Sequence, residues 1–535
     1  MSMQGFSFMS ANVSMRGLVL TGFLVSCAAL QGQVVSSAVS SASGGVPFGA
    51  AITPAKADAA IAGALQQVST ARVKATIEKL VTFNNRSTLS SMETDLKPGT
   101  GISAAADWIE SEFKRYSAEC GGCLEVKRDE FIEPPQPGPA SRILKPTKLT
   151  NVYAILKGTD PAQAKRMVLV TGHYDSRNSD NFNTHDAAPG ANDDASGVAV
   201  SLESARVLSK LKFPSSIVFV AVAGEEQGLN GSRHLAKLAK SEGWQLEGVL
   251  NNDIVGGDTT PGDTGEDKSA VRVFSEGVPG LATIEELRVL QTLGAESDSP
   301  SRELARAVKE ISASYFVSGT KRAAAAGPGM ARSNAVMVVP AFHPVLIFRR
   351  DRYGRGGDHT SFNLEGWTAV RITEWRENYN HQHQNVREEN GVQYGDLLQY
   401  VDFDYVAQVA RMNAAVLGTL ASAPGIPRSV KMEARIQDNN TQITWEAPAG
   451  MPSGASFELV WRDTEAPTWT NVVSAGTKTS INLPMSKDNV TFGVRSVDGA
   501  GHRSAAVLPM PARGGGPGVP GTGAGAGVPA TAPKQ

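Results

Sequence analysis

A few short polar segments hold most of the side chains in this chain that could bind a metal or move a proton. In His173-Tyr-Asp175 the alternation of an extended backbone puts His173 and Asp175 on one side. A metal-ligating histidine usually gives its second ring N–H to a carboxylate or carbonyl, although a solvated surface pair would read the same way. Gly190-Ala-Asn-Asp193-Asp194-Ala-Ser-Gly197 carries two adjacent carboxylates into a helix beginning near Ala195. Acidic residues cap helices routinely at such a place, so one Asp could cap while the other does chemistry. Gly224-Glu225-Glu226-Gln-Gly228 presents two glutamates that repel each other. They make chemical sense if a divalent cation takes one and leaves the other as a base. Asn251-Asn252-Asp253 adds one more acid, and Asp358-His359 and Tyr379-Asn-His381-Gln-His383 lie in two polar loops, each able to supply a second imidazole.

The elements that must position these groups follow from periodicity. Apolar runs at 167–171, 217–222 and 248–251 predict buried strands, with a helix between the first two bearing Val198, Leu202 and Ala205 on one face. Strands alternating with helices predict an α/β fold with a mostly parallel central sheet flanked by helices. His173, Glu225 and Asp253 then all fall at carboxyl ends of strands, where open α/β sheets build their sites. Any one segment is bland, but several successive strand ends presenting His, Asp or Glu are not an accident of loop composition. Two imidazoles and three carboxylates match a pair of divalent ions, with zinc favoured and Co2+ or Mn2+ as substitutes. Further helical stripes run through Val73, Ile77, Leu80 and Val81, and through Ala105, Trp108, Ile109, Phe113 and Tyr116. The segments 345–348 and 369–372 could extend the sheet.

The 535 residues, 41% of them hydrophobic, are ample for a folded core. Lys+Arg 51 against Asp+Glu 53 leaves a net charge of -2, without the basic field that nucleic-acid binding needs. Three cysteines cannot make a disulfide framework, and Cys120-Gly-Gly-Cys123 is expected as a small local disulfide without a catalytic role. Arg16 followed by an apolar run at 17–25 reads as an export signal within residues 1–40, too short to span a bilayer. Leu24-Val25-Ser26-Cys27 also resembles a lipobox, which would make Cys27 a lipid anchor. The chain is expected outside the cytoplasm, either secreted or periplasmic and cell-envelope bound. After the proline-marked segment 421–427 the period changes to two, through Val430, Met432, Ala434 and Ile436, then Phe457, Leu459 and Trp461, then Val490, Phe492 and Val494. This predicts a small all-β sandwich over 428–510 that resembles a fibronectin type III module and could bind a surface or polymer. The Gly/Pro-rich tail 511–535 is expected to be disordered.

Over residues 60–422 these motifs, in their order and spacing, resemble peptidase family M28, the co-catalytic zinc aminopeptidases. The resemblance implies a zinc-exopeptidase, phosphorylase/hydrolase-like fold and an aminopeptidase acting on peptides, which the export signal would carry out of the cytoplasm. Carboxypeptidases, dipeptidases and glutaminyl cyclases of the same fold are the alternatives, and a non-catalytic adhesion protein is the alternative of another class. It further implies two Zn2+ per chain. His173 and Asp253 would hold one ion and Glu226 and a late histidine the other, with Asp193 bridging, Glu225 as general base and Asp175 orienting His173. The late ligand falls on His381 by position, with Asn385 where the family has Asp and His383 as the substitute. His359 would shape the pocket rather than bind metal.

Overall fold

The computed structural model describes residues 48–292, 294–322, 336–339 and 341–512. The expected export signal, Cys27 and residues 513–535 of the tail lie outside them. Eight strands form one sheet: β1 (Leu124–Glu133), β2 (Thr147–Leu156), β3 (Arg166–His173), β4 (Ser216–Val222), β5 (Gln245–Asn252), β6 (Ala270–Phe274), β7 (His343–Ile347) and β8 (Ala369–Glu374). Their order is β7-β6-β8-β5-β3-β4-β2-β1. The block β8-β5-β3-β4 is parallel throughout, as is the β7/β6 pair. The junctions β6/β8, β4/β2 and β2/β1 are antiparallel, so the sheet is mixed, with its parallel part at the centre. No helix lies between β1 and β2, and a connection without a crossover leaves strands antiparallel.

Helices cover both faces: α1 (Ala59–Leu65), α2 (Thr70–Val81), α3 (Gly101–Glu119), α4 (Ala195–Leu208), α5 (Asn230–Ser241), α6 (Ile284–Thr292), α7 (Pro300–Tyr315), α8 (Asp358–Leu364) and α9 (Phe403–Ser422). One apolar cluster joins the sheet to α1 through α4, α7 and α9, and a second joins it to α5 and α8. Every residue of α4 is buried. Each large apolar side chain hidden in this way is worth about 1.5–3 kcal/mol. Val198, Val200, Leu202, Val207 and Leu208 therefore anchor firmly the helix whose first turn follows Asp193 and Asp194. Cys120 and Cys123 form the local disulfide at the end of α3.

Six further strands follow: β9 (Arg428–Met432), β10 (Thr441–Glu446), β11 (Ser456–Asp463), β12 (Asn471–Gly476), β13 (Ser480–Leu483) and β14 (Val490–Val497). They make two sheets, β12-β11-β14 and β13-β10-β9, around a core of Val430, Ile443, Trp445, Phe457, Leu459, Trp461, Phe492 and Val494. Ile436, which the period-two pattern includes, is exposed in a loop. Two short segments from outside this run complete the sheets. Ala50–Ala51 pairs with β12, and Met510–Pro511 pairs with β9, so Pro511 of the expected tail belongs to a strand.

The β unit sits against α7 through buried charge. Arg306 pairs with Glu303 and Asp298 (2.8 Å to the latter) and donates to the backbone oxygen of Pro467 at 2.9 Å. From the β side, Arg462 reaches Asp298 at 2.8 Å and the Trp469 indole donates to Glu303 at 2.9 Å. Arg495 and Arg503 both grip Glu310, at 2.7 and 2.8 Å. The proline-marked connection is itself packed, with Ala423, Pro424, Gly425 and Pro427 buried.

Candidate metal centre

His173 ends β3 at the centre of the parallel block. There the first turn of α4 crosses the strand so closely that a Cβ on Gly172 would lie 2.4 Å from the backbone carbon of Gly197. Glycine at that crossing lets the two aspartates approach the histidine, and they divide the work. Asp194 caps α4 by accepting from the Gly197 amide at 2.9 Å, and it also receives the amides of His173 and Ile254 at 3.0 and 3.2 Å. It thereby ties together the ends of β3, β5 and the helix. Asp193 turns its carboxylate the other way, toward two imidazoles.

Ligand-capable atoms of His173, Asp193 and Asp253 converge within 4.8 Å of one another, as do those of Asp193, Glu226 and His383. Asp193 is common to both groups: Oδ1 lies 3.1 Å from His173 Nε2 and Oδ2 lies 2.8 Å from His383 Nε2. Asp253 Oδ1 stands 3.9 Å from His173 Nε2, and Glu226 Oε1 stands 3.1 Å from His383 Nε2. His173 Nε2 and Glu226 Oε1 are buried without a hydrogen-bond partner. Buried polar atoms are seldom left in that state. Imidazole and carboxylate donors converging on a shared carboxylate fit zinc by composition and by count.

The electrostatics follow the same grouping. Burial alone would push the His173 imidazole down, but the carboxylates of Asp175 and Asp193 outweigh it and hold the ring well above its ordinary value. His383 is raised to about 10, because Glu226 and Asp193 likewise overcome burial. Asp193 falls well below the usual carboxylate range, since the two imidazoles override its burial. Glu225 moves the opposite way: burial pushes its carboxyl well up, opposed by His173 and reinforced by Asp253, Glu226 and Asp358. The two adjacent glutamates thus occupy different environments, the condition under which one binds and the other moves protons.

Asp175 faces His173 through both its backbone and its side chain. The nearer partner of His173 Nδ1 is the backbone oxygen of Asp175 at 3.1 Å, with the carboxylate at 3.5 Å. The carboxylate also receives the amides of Glu225 and Glu226, at 3.3 and 3.1 Å, and the Thr88 hydroxyl at 3.1 Å. It therefore fixes the turn that carries both glutamates, a turn entered through Gly224 at φ +74.

The structure does not bring His381 to the centre. Its ring stacks on Tyr400 with centroids 3.9 Å apart, and its Nδ1 faces Asp258 at 3.4 Å. The reason is a turn in which the amides of His381 and Gln382 both return to the Asn378 oxygen, followed by His383 in the left-handed region at φ 57. That backbone reversal sends His383 inward and leaves His381 outside. His359 is buried and takes no part in either group. Its Nε2 faces the Arg350 oxygen at 2.8 Å, and burial lowers it to about 4.

Several supporting residues have no local sequence signal. Arg371, fully buried, holds Asp253 Oδ2 at 2.7 Å from 118 positions away. Asp396 receives the amides of Asn192 and Asp193, and Gln382 donates to Asp193 Oδ2 at 3.2 Å. Arg177, two residues after Asp175, donates to Glu226 Oε2 at 2.8 Å.

Residues 151–297, which include His173, Asp193, Glu225, Glu226 and Asp253, match the model of peptidase family M28. A probable zinc metalloprotease of Pyrenophora teres f. teres is 43% identical over 467 residues, covering 87% of this chain and 89% of that protein. A probable zinc metalloprotease of Pyricularia oryzae is 42% identical over 472 residues, covering 87% of each. Among solved structures, the LapA aminopeptidase of Legionella pneumophila aligns with 68% of this chain and 74% of its own, at 18% identity and a TM-score of 0.43. With relatives this similar along most of its length, the chain belongs to peptidase family M28 and is a zinc metallopeptidase.

Proposed function

We propose that this metallopeptidase is an exported two-zinc aminopeptidase, with His173, Asp193 and Asp253 holding one ion and Asp193, Glu226 and His383 the other. The observation that carries the reading is the sharing of Asp193 between two ligand groups, with Glu225 beside Glu226 on a turn braced by Asp175. Zinc bound there supplies an acidified water and polarises the scissile carbonyl. The chain's own residues do the rest. Glu225 accepts the proton of the attacking water on its carboxylate and delivers it to the departing amine. Asp175 keeps that carboxylate in place, and Arg371 fixes the rotamer of Asp253 so that Oδ1 faces His173.

Removal of residues from the amino end, rather than the carboxyl end, draws support from the carboxylates around Asp193. Asp193 and Asp258, both held below the usual carboxylate range, border one cleft, an environment that suits an ammonium group better than a terminal carboxylate. Export draws support from Arg16 and its apolar run, and from the Cys120–Cys123 disulfide, which persists in oxidising compartments. Among the described residues no helix is long and apolar enough to cross a membrane. The β unit is a fibronectin-like accessory module in this reading.

A panel of aminoacyl, N-acetylated and N-terminal Gln peptides, assayed with zinc present, tests the proposal. Free amino termini should be trimmed and blocked ones spared. Release of carboxyl-terminal residues from blocked peptides would make the enzyme a carboxypeptidase, and conversion of N-terminal Gln to its cyclic form would make it a cyclase.

A further inference from the structure

The loop 348–357, which joins β7 to α8, is rich in arginine, with Arg349, Arg350, Arg352 and Arg355, and it passes beside both ligand groups. At its end the Gly356 oxygen accepts from Arg371 at 2.9 Å, and a Cβ on Gly357 would lie 3.2 Å from Asp253 Oδ2. The Arg355 side chain reaches toward the other group. Its Nη1 donates to Gln382 Oε1 at 2.9 Å, and Gln382 Nε2 donates to Asp193 Oδ2 at 3.2 Å. The cations around the centre are not equivalent. Arg371, Arg352 and Arg177 are between 0 and 14% exposed, and each grips a carboxylate: Asp253 at 2.7 Å, Asp351 at 3.0 Å and Glu226 at 2.8 Å. Arg355 keeps 28% of its side chain exposed, and its side-chain hydrogen bond goes to a neutral amide. Glu377 stands 3.9 Å away and is already paired with Arg352.

We propose that Arg355 is a specificity-determining residue that binds a substrate carboxylate next to the scissile bond. Peptides with an acidic residue there, or very short peptides with a free carboxyl end, are then the preferred substrates. This rests on the aminopeptidase reading. A guanidinium offers five donors in a planar fork, so one bond to Gln382 leaves an edge that a carboxylate can take bidentately. A neutral partner can also be given up without stranding a buried charge, which Arg371, Arg352 and Arg177 could not do. One amide separates Arg355 from Asp193, a span of about two residues of extended chain at ~3.3–3.6 Å each. A carboxylate that bridges this span belongs either to a side chain flanking the scissile bond or to the terminal carboxyl group of a dipeptide. With an ammonium near Asp193 and Asp258 and a carboxylate at Arg355, the substrate is held on two sides of the bond.

Three matched pairs of peptides, assayed on the zinc-loaded full chain, test this and separate the sources of the carboxylate. They are Asp-Ala amide against Asn-Ala amide, Ala-Glu amide against Ala-Gln amide, and Ala-Ala against Ala-Ala amide. In at least one pair the acid should be favoured by about 10-fold or more in kcat/KM, mostly through KM, as a charge-assisted bidentate contact allows. The pair that shows it identifies the first side chain, the second side chain or the terminal carboxylate. Arg355→Gln should bring that ratio close to one, Arg355→Lys should keep part of it, and Arg355→Glu should turn the preference toward a lysine at the same place. A merely structural arginine would slow both members of a pair alike and leave the ratio where it was. Trimming of every pair without preference by the wild type, or a preference that survives Arg355→Gln, would overturn the inference and leave the aminopeptidase reading standing. If no free amino terminus is trimmed, that reading fails and the role of Arg355 fails with it.

Discussion

Two buried collections of charge differ in how they are balanced. At the junction with the β unit, Asp298, Glu303, Glu310 and Glu458 meet Arg306, Arg462, Arg495 and Arg503, with the Trp469 indole as a further donor. At the strand ends, Asp193, Asp253, Glu225 and Glu226 gather around two imidazoles with only Arg371 on Asp253 and Arg177 on Glu226 as arginine partners, and the carboxylates hold the rings of His173 and His383 above their ordinary value. Desolvated charge is tolerable only when compensated. A group balanced by its own side chains needs nothing more and serves architecture, whereas one left short of cations is built to receive them.

The largest effect expected from this contrast is on turnover. Glu225→Gln removes the proton acceptor while preserving shape, so kcat should fall by about 10² to 10⁴-fold or more with zinc content unchanged. His383→Ala should lose activity together with one zinc, and His381→Ala should keep its zinc, measured by elemental analysis beside kinetics. Retention of both ions in His383→Ala and loss of one in His381→Ala would exchange their roles.

Next in size is the junction. Arg306→Met leaves buried Glu303 with the Trp469 indole as its donor and Asp298 with Arg462 alone, and breaking a buried charged group costs up to about 3–5 kcal/mol. Denaturant unfolding should show that loss while kcat/KM on small reporters stays within a few-fold of wild type. A variant as stable as wild type but inactive would break the division between architecture and chemistry. Metal removal should give the converse result. Chelation should abolish activity and lower Tm, and added zinc should restore both, because a ligand that binds only the folded chain stabilises it by mass action.

The smallest effect concerns His502, whose imidazole is raised by its hydrogen bond to Asp498, against burial, with Asp58 assisting. A raised group adds stability that is fully present below its unfolded value, about 6.5, and is lost as pH rises through the folded one. The stability difference between wild type and His502→Gln should therefore shrink from pH 6 toward pH 9, and by no more than about 1 kcal/mol, given the partial exposure of the partners. A difference that grows with pH would contradict the pairing.

Much of the centre was legible because strand ends in a parallel block are where polar side chains after apolar runs must gather. His173, Glu225, Glu226 and Asp253 all follow that rule, and the capping requirement foretold that one of Asp193 and Asp194 would be spent on α4. Counting positions failed at His381, since a single left-handed residue at 383 reverses which side chain points inward. The edge strand β1 has no legible pattern because it carries charges along most of its length, Glu-Val-Lys-Arg-Asp-Glu, and does not alternate cleanly. Arg371 and Asp396 could not be found at all, as their contacts span 118 and about 200 positions and leave no local pattern.

The strand Ala50–Ala51 ties an early segment of the chain to the late β unit. The Trp461 indole donates to the Phe48 oxygen 413 positions earlier, and Arg503 donates to the Thr53 oxygen. During synthesis this early segment has no partner until β11 and β12 have emerged more than 400 residues later, so its closure comes late and spans a very long loop. A chain cut short before β11 and β12 would keep that segment open, and an unpaired strand invites pairing with other chains or cleavage. The segment 48–53 and the β unit thus form a clasp that fastens only once β11 and β12 have been made.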